Sequence, residues 1–325
     1  MKVFVAGATG ALGKQLVPML VNDGHEVTGM TRTRSKEELI RSMGARPAVA
    51  DALDPEAVAQ AVAEAEPEVV IHELTELTGT FARNIDKAFA TTNRLRTEGL
   101  DHLLAAAKAT GARRFIAQSF TGWPFEPTGG PVKTEEDPLQ QHPPKAVSQS
   151  LAAIRHVEDA VTKAEGLDGI ALRYGGFYGP GTSLAVDPPG EFTEMILKRR
   201  VPIVGDGSGI WSLVHIHDAA SATAAALEKG APGVYNVADD DPVPVGELIP
   251  EIARIIGAKP PRHLPRWVGR LVGGEPAVLM MTQIRGAANE KAKRELDWEL
   301  RYPSWRLGIR EELGENENPE DRAAA

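Results

Sequence analysis

No cysteine occurs among the 325 residues, which removes disulfides, thiolate catalysis and cysteine-ligated metals together. A cysteine-free chain fits a reducing cytoplasm. No apolar run reaches the roughly 18 residues of a membrane-spanning helix. The opening MKVFVAGATG has no secretory h-region, so a soluble, cytoplasmic protein without a membrane partner is expected. Basic excess is missing too. Lys and Arg number 36 against 45 Asp and Glu, giving a net charge of −9 and a pI near 5.5, the wrong sign for nucleic acid. Tyrosine is scarce: Tyr174, Tyr178, Tyr235 and Tyr302 are all there is, and none begins a Tyr-x-x-x-Lys.

What is present alternates between two kinds of segment. Lys2–Ala6 is a short apolar run with β-branched valines, His25–Met30 and Pro47–Ala50 follow it, and Glu68–Glu73, Arg114–Gln118 and Gly169–Arg173 repeat the pattern. These read as buried parallel strands. Between them Lys14–Asn22, Lys36–Met43, Pro55–Glu64, Ala88–Thr110 and Leu151–Ala164 read as helices, the first with Pro18 inside it or near its start. Strands alternating with such helices predict an α/β fold, a Rossmann-like doubly wound parallel sheet. That domain is expected over residues 1–174, with a returning segment near 212–238. Residues 175–211 and 239–313 are then a small C-terminal substrate domain, and the polar, acidic stretch 314–325 a disordered tail. Gly122–Pro144, rich in proline, glycine and charge, is expected to be a long surface loop.

Three glycines, Gly7, Gly10 and Gly13, lie between the first strand and the first helix. That context lets backbone turn sharply and approach a pyrophosphate at a helix N-terminus, so the segment Gly7, Thr9, Gly10, Ala11, Leu12, Gly13 is assigned to a dinucleotide. The second strand runs into Thr31-Arg32-Thr33-Arg34, where an NAD-selective fold offers a carboxylate. Arg32 and Arg34 in its place favour the 2′-phosphate of NADP(H) over NAD(H), although arginines also commonly do no more than solvate a loop.

With these motifs the chain resembles the extended and atypical short-chain dehydrogenase/reductases, the NAD-dependent epimerase/dehydratase family, over nearly its whole length. The resemblance implies that Asp51 and Ala52 contact the adenine and that Leu74 and Thr75 pass beneath the cofactor. It also implies that Asn93 matches a family asparagine, and that Gln118, Tyr174 and Phe177 approach the nicotinamide. Homodimers through two long helices, here Ala88–Thr110 and Leu151–Ala164, are implied as well. The resemblance then breaks at the chemistry. Placing Glu158 on the family's glutamate puts Ser150 where the proton-donating tyrosine belongs and Ile154 where its lysine belongs. Ser119 and Thr121 at a strand end, Ser150 on its helix and Tyr178 are therefore the catalytic candidates, with Tyr174, His142 and Lys145 behind them. A strand-end hydroxyl can equally well satisfy backbone, and a tyrosine near a turn can simply pack.

Other patterns stay open. Glu73 either lies beside the cofactor or acts as a base. Trp123, Pro124, Phe125 and Trp211 line an apolar pocket or anchor loops. His215-Ile216-His217-Asp218 reads as structural histidines followed by an N-capping aspartate for a helix over Ala219–Lys229, with no metal. The expected function is an atypical NADP(H)-dependent oxidoreductase or epimerase/dehydratase-like enzyme with a small carbonyl or hydroxyl substrate. The alternatives are a non-catalytic NADP(H) sensor and a non-redox lyase or isomerase that retains the cofactor.

Overall fold

The computed structural model describes residues 1–76 and 83–314. Seven strands, β1 (Lys2–Ala6), β2 (Glu26–Thr31), β3 (Arg46–Val49), β4 (Val69–His72), β5 (Arg114–Phe120), β6 (Asp168–Tyr174) and β7 (Gly233–Val237), form one sheet. Its order is β3-β2-β1-β4-β5-β6-β7, and every pairing is parallel. Strands covered on both faces need apolar side chains in both directions, and β1 shows how they divide. Val3 and Val5 enter one core with Leu16, Leu20, Ala219 and Ala222. Phe4 and Ala6 enter the other with Val58, Leu100, Leu103, Val157 and Val161. Helices Ala11–Asn22 and Ile216–Ala225 cover the first face; Pro55–Ala65, Leu100–Thr110 and Ser148–Thr162 cover the second. The doubly wound reading therefore holds. A third core, built around Phe192, Val245, Leu248, Ile252 and Trp305, lies within the C-terminal elements.

The structure departs from the sequence reading at several elements. The expected single helix Ala88–Thr110 begins at Ile85, capped by Asn84, and is broken by a π-helical turn over Leu95–Gly99. Pro18 does lie inside its helix, the first of the two placements the sequence allowed, and leaves the Lys14 carbonyl without its i+4 donor. Asp218 is not an N-cap. Its helix starts at Ile216, where the His215 imidazole accepts from the His217 N–H, and the Asp218 carboxylate accepts from the N–H groups of Arg301 and Tyr302. The 122–144 segment is pinned: Trp123 and Phe125 are buried, and Val132–Lys133 pairs with Gly286–Ala287. The tail expected to be disordered lies, from residue 315 on, outside the described residues. Among the described residues no helix is long and apolar enough to cross a membrane.

Candidate functional site

Parallel strands end together, and the edge formed by Ala6, Thr31, His72, Phe120 and Tyr174 opens into a cavity of about 600 Å³. It lies where the strand order reverses between β1 and β4, the switch point at which open α/β sheets take ligands. Its floor is the glycine turn. Gly7 holds φ +103°, and a Cβ there would stand 2.7 Å from the Glu73 carbonyl oxygen. A Cβ on Gly13 would stand 2.3 Å from the Gly7 carbonyl oxygen. Both clashes are with backbone, so neither position tolerates a side chain. Gly10 precedes the Ala11–Asn22 helix and, among the described residues, no side chain caps it; Gly10, Ala11, Leu12 and Gly13 line the cavity at this positive dipole end.

Of the residues assigned to a cofactor, Gly7, Thr9, Gly10, Ala11, Leu12, Gly13, Arg32, Asp51, Ala52, Leu74, Thr75, Gln118, Tyr174 and Phe177 all line this cavity. Arg34 does not. It opens a short 3₁₀ turn over Arg34–Lys36 and points to solvent, while Lys36, at the far end of that turn, lines the cavity instead. Arg32 is itself paired with Glu76 at 2.8 Å.

Three of the four catalytic candidates fail on placement. Ser119 alternates away from the cavity and donates to Glu158 Oε1 at 2.7 Å, inside a buried pair in which Arg173 Nε also donates to Glu158 at 2.6 Å. Ser150 is buried and accepts from Asn93 Nδ2 at 3.1 Å, while its own N–H donates to Asp86 at 2.7 Å. Tyr178 packs edge-on against His215 and over Gly308 in the third core. Of the four only Thr121 lines the cavity, and its buried Oγ1 has no hydrogen-bond partner among the described residues. Ile154 is wholly buried among Ile85, Trp123, Leu151 and Leu279. Trp123 and Phe125 are anchors; Trp211 lines the cavity, stacked on Phe192 at 6.1 Å and donating from Nε1 to the Met280 carbonyl. Phe89, Phe120, Phe177 and Phe192 complete an aromatic end.

Glu73 is a buried carboxyl on the cavity wall, and burial pushes its pKa up to about 8. Its Oε1 meets the Tyr174 hydroxyl at 3.1 Å, Tyr174 meets Thr223 Oγ1 at 2.6 Å, and Thr223 meets the Ala219 carbonyl at 2.7 Å. Hydrogen counting gives this chain two directions. With Glu73 ionised, Tyr174 donates to it and Thr223 donates to Tyr174, which leaves the Ala219 contact without a proton. With Glu73 protonated, each group donates to the next and all three contacts are satisfied. The neutral acid is thus the form that completes the network at neutral pH. Glu73 Oε2 remains buried and has no partner among the described residues.

Residues 3–238 match the model of the NAD dependent epimerase/dehydratase family. The chain belongs to that family. It is 42% identical over 310 residues to 3-diazoavenalumate denitrifying reductase of a Streptomyces species, covering 95% of this chain and 99% of that protein. It is 29% identical over 269 residues to 2-alkyl-3-oxoalkanoate reductase of Stenotrophomonas maltophilia, covering 79% and 76%. In structure it resembles UDP-glucose 4-epimerase of Thermotoga maritima, with TM-score 0.75 and 22% identity over the whole of both chains. The glycine turn Gly7–Gly13 and all seven strands of the sheet except the first residue of β1 fall within the matched span. Within this family chain, Lys36, Glu76, Glu191 and Arg96 line the cavity without having stood out in the sequence. Lys36 and Glu76 follow strands β2 and β4 closely enough that a wider window at each strand end would have found them. Arg96 carried no such signal, because a helical repeat across Ala88–Thr110 mistakes its phase.

Proposed function

We propose that this protein is an NADPH-dependent reductase that delivers hydride to an electron-poor, carboxylate-bearing aromatic substrate, with replacement of a diazo group by hydrogen as its reaction. The observation that carries this reading is the aromatic end of the cavity. Among the described residues its lining holds one tyrosine, Tyr174, which is tied to Glu73 and Thr223, and one lysine, Lys36, which belongs to the β2 end. Burial drives the Tyr174 hydroxyl well above its ordinary pKa, the reverse of what a proton donor needs.

The residues fit a dinucleotide. The helix N-terminus after Gly10 offers its amides to a diphosphate, and Lys36 together with Arg32, the latter paired with Glu76, lines the cavity past the β2 end, which supports a 2′-phosphate there. When bound, reduced nicotinamide supplies a hydride: the substrate's C–N bond breaks with its electron pair leaving as N₂, a C–H bond forms, the substrate gains two electrons and the cofactor is oxidised. No alkoxide builds in such a step, so no tyrosine–lysine pair is required. The named activities of the two reductase relatives, one on a diazo compound and both on carboxylates, support the same substrate class. Phe192 and Trp211 supply stacked aromatic faces for a planar ring.

The test is NADPH oxidation followed at the reduced-nicotinamide absorbance band, with an ortho-diazo phenolic cinnamate and with a panel of aldehydes and ketones. Turnover with N₂ release on the diazo acid is expected. Tight NADPH binding without turnover on either set would sink the reductase and favour a sensor. Arg32→Ala is expected to lower the NADPH/NADH affinity ratio by about tenfold; an unchanged ratio removes the 2′-phosphate assignment.

A further inference from the structure

Three arginines are buried among the described residues, and two of them have partners. Arg173 is forked onto Glu158 at 2.6 and 2.7 Å. Arg114 donates to the carbonyls of Ala226, Lys229 and Gly230. Arg96 is different. It is 4% exposed and, unlike the other two, has no carboxylate paired with it among the described residues; its Nε has no hydrogen-bond partner there, as is also true of Arg114 Nε and Arg173 Nη1. Burial alone lowers its pKa, to about 10, with no acid nearby to hold it up. The six residues 77–82, Leu-Thr-Gly-Thr-Phe-Ala, contain no acid either. Yet Arg96 lines the cavity, carried there by the π turn Leu95–Gly99 beside the end of β4, where the Leu95 carbonyl meets buried His72 at 3.0 Å.

A charge buried without a partner is costly to a folded chain. Arg96 is therefore a cation awaiting an anion, and the cavity is where the anion arrives. We propose that Arg96 is an oxyanion-binding residue, receiving a carboxylate or phosphate oxygen pair of a molecule bound in the cavity. Its planar fork suits either group bidentately. The diphosphate of a dinucleotide already finds amide donors at the Gly10 helix end, which leaves Arg96 for the carboxylate of the second ligand. The inference rests on the cavity being the ligand site of the reading above, not on the diazo reaction.

The experiment compares wild type with Arg96→Met, Arg96→Lys and, as control, Arg94→Met, an exposed residue paired with Glu98. Calorimetric titration with NADPH is followed by 4-coumarate, and by its methyl ester, on the NADPH-loaded protein. Arg96→Met is expected to melt about 2 °C or more above wild type when empty and to bind 4-coumarate about 30-fold or more weakly, with NADPH unaffected. Arg96→Lys recovers part of that loss, Arg94→Met shows none, and the ester binds no variant differently. If NADPH is the ligand weakened instead, the oxyanion is the cofactor's and the site stands. If neither affinity moves by more than about twofold, or Met and Lys bind alike, the proposal is overturned. Wild-type failure to bind NADPH sinks the reductase reading alone; in that event a melting shift induced by inorganic phosphate decides Arg96, upheld if Arg96→Met abolishes it and overturned if it persists.

Discussion

At the Gly7–Gly13 end of the cavity the ligand-facing surface is backbone, whereas at the Phe192–Trp211 end it is side chain. The first end works because side chains are absent: two Cβ atoms would strike carbonyl oxygens at 2.7 and 2.3 Å. The second works through which side chains the sheet happens to present: Phe192 and Trp211 line the cavity stacked at 6.1 Å, while Ser150 and Ile154 lie buried away from it. Backbone geometry tolerates almost no substitution, while a side-chain wall can be rebuilt one residue at a time.

The largest expected effect breaks the backbone end. Gly13→Val forces a branched side chain into the Gly7 carbonyl, and dinucleotide affinity should fall at least about 100-fold with roughly 3 kcal/mol of stability lost. Titration and urea unfolding read both, and near-normal binding would show that the turn is not the floor of the site. Next is Glu73→Gln. A carboxyl whose pKa is raised on folding, to about 8, takes up a proton between its unfolded value of 4.5 and that value. It costs nothing below pH 4.5, and its cost grows with pH up to about 8. At pH 7 the substitution should relieve about 3 kcal/mol. Wild type should lose stability relative to Glu73→Gln from pH 5 to 8, and parallel curves would contradict the neutral acid. The smallest effect sharpens the aromatic end: Ser119→Ala and Ser150→Ala should each leave turnover within about threefold and cost about 1 kcal/mol through a lost hydrogen bond. A large fall in kcat for either would return it to the catalytic candidates.

Strands, sheet order and glycine turn were legible because each depends on local pattern: apolar runs, alternation, and Gly at tight approaches. Arg32 was legible for the same reason, being the residue right after a strand. Arg34 was not separable from it, since the three-residue 3₁₀ turn Arg34–Lys36 decides which cation faces inward and sequence spacing does not show that turn. Ser119 and Gln118 are neighbours on one strand, and only the pleat sends Gln118 to the cavity and Ser119 to Glu158. The state of Glu73 depends on Tyr174 and Thr223, 101 and 150 positions further along the chain, a meeting no window captures.

The π turn at Leu95–Gly99 holds one residue more than an α-helical turn would take. An α-helix advances about 100° per residue, so one inserted residue would rotate everything after it unless the extra is swallowed locally. Here the swelling swallows it. His102 still reaches the Ala52 carbonyl and Leu103 still faces the sheet. It is this extra residue that sets the angle at which Arg96 meets the cavity relative to the helix that follows.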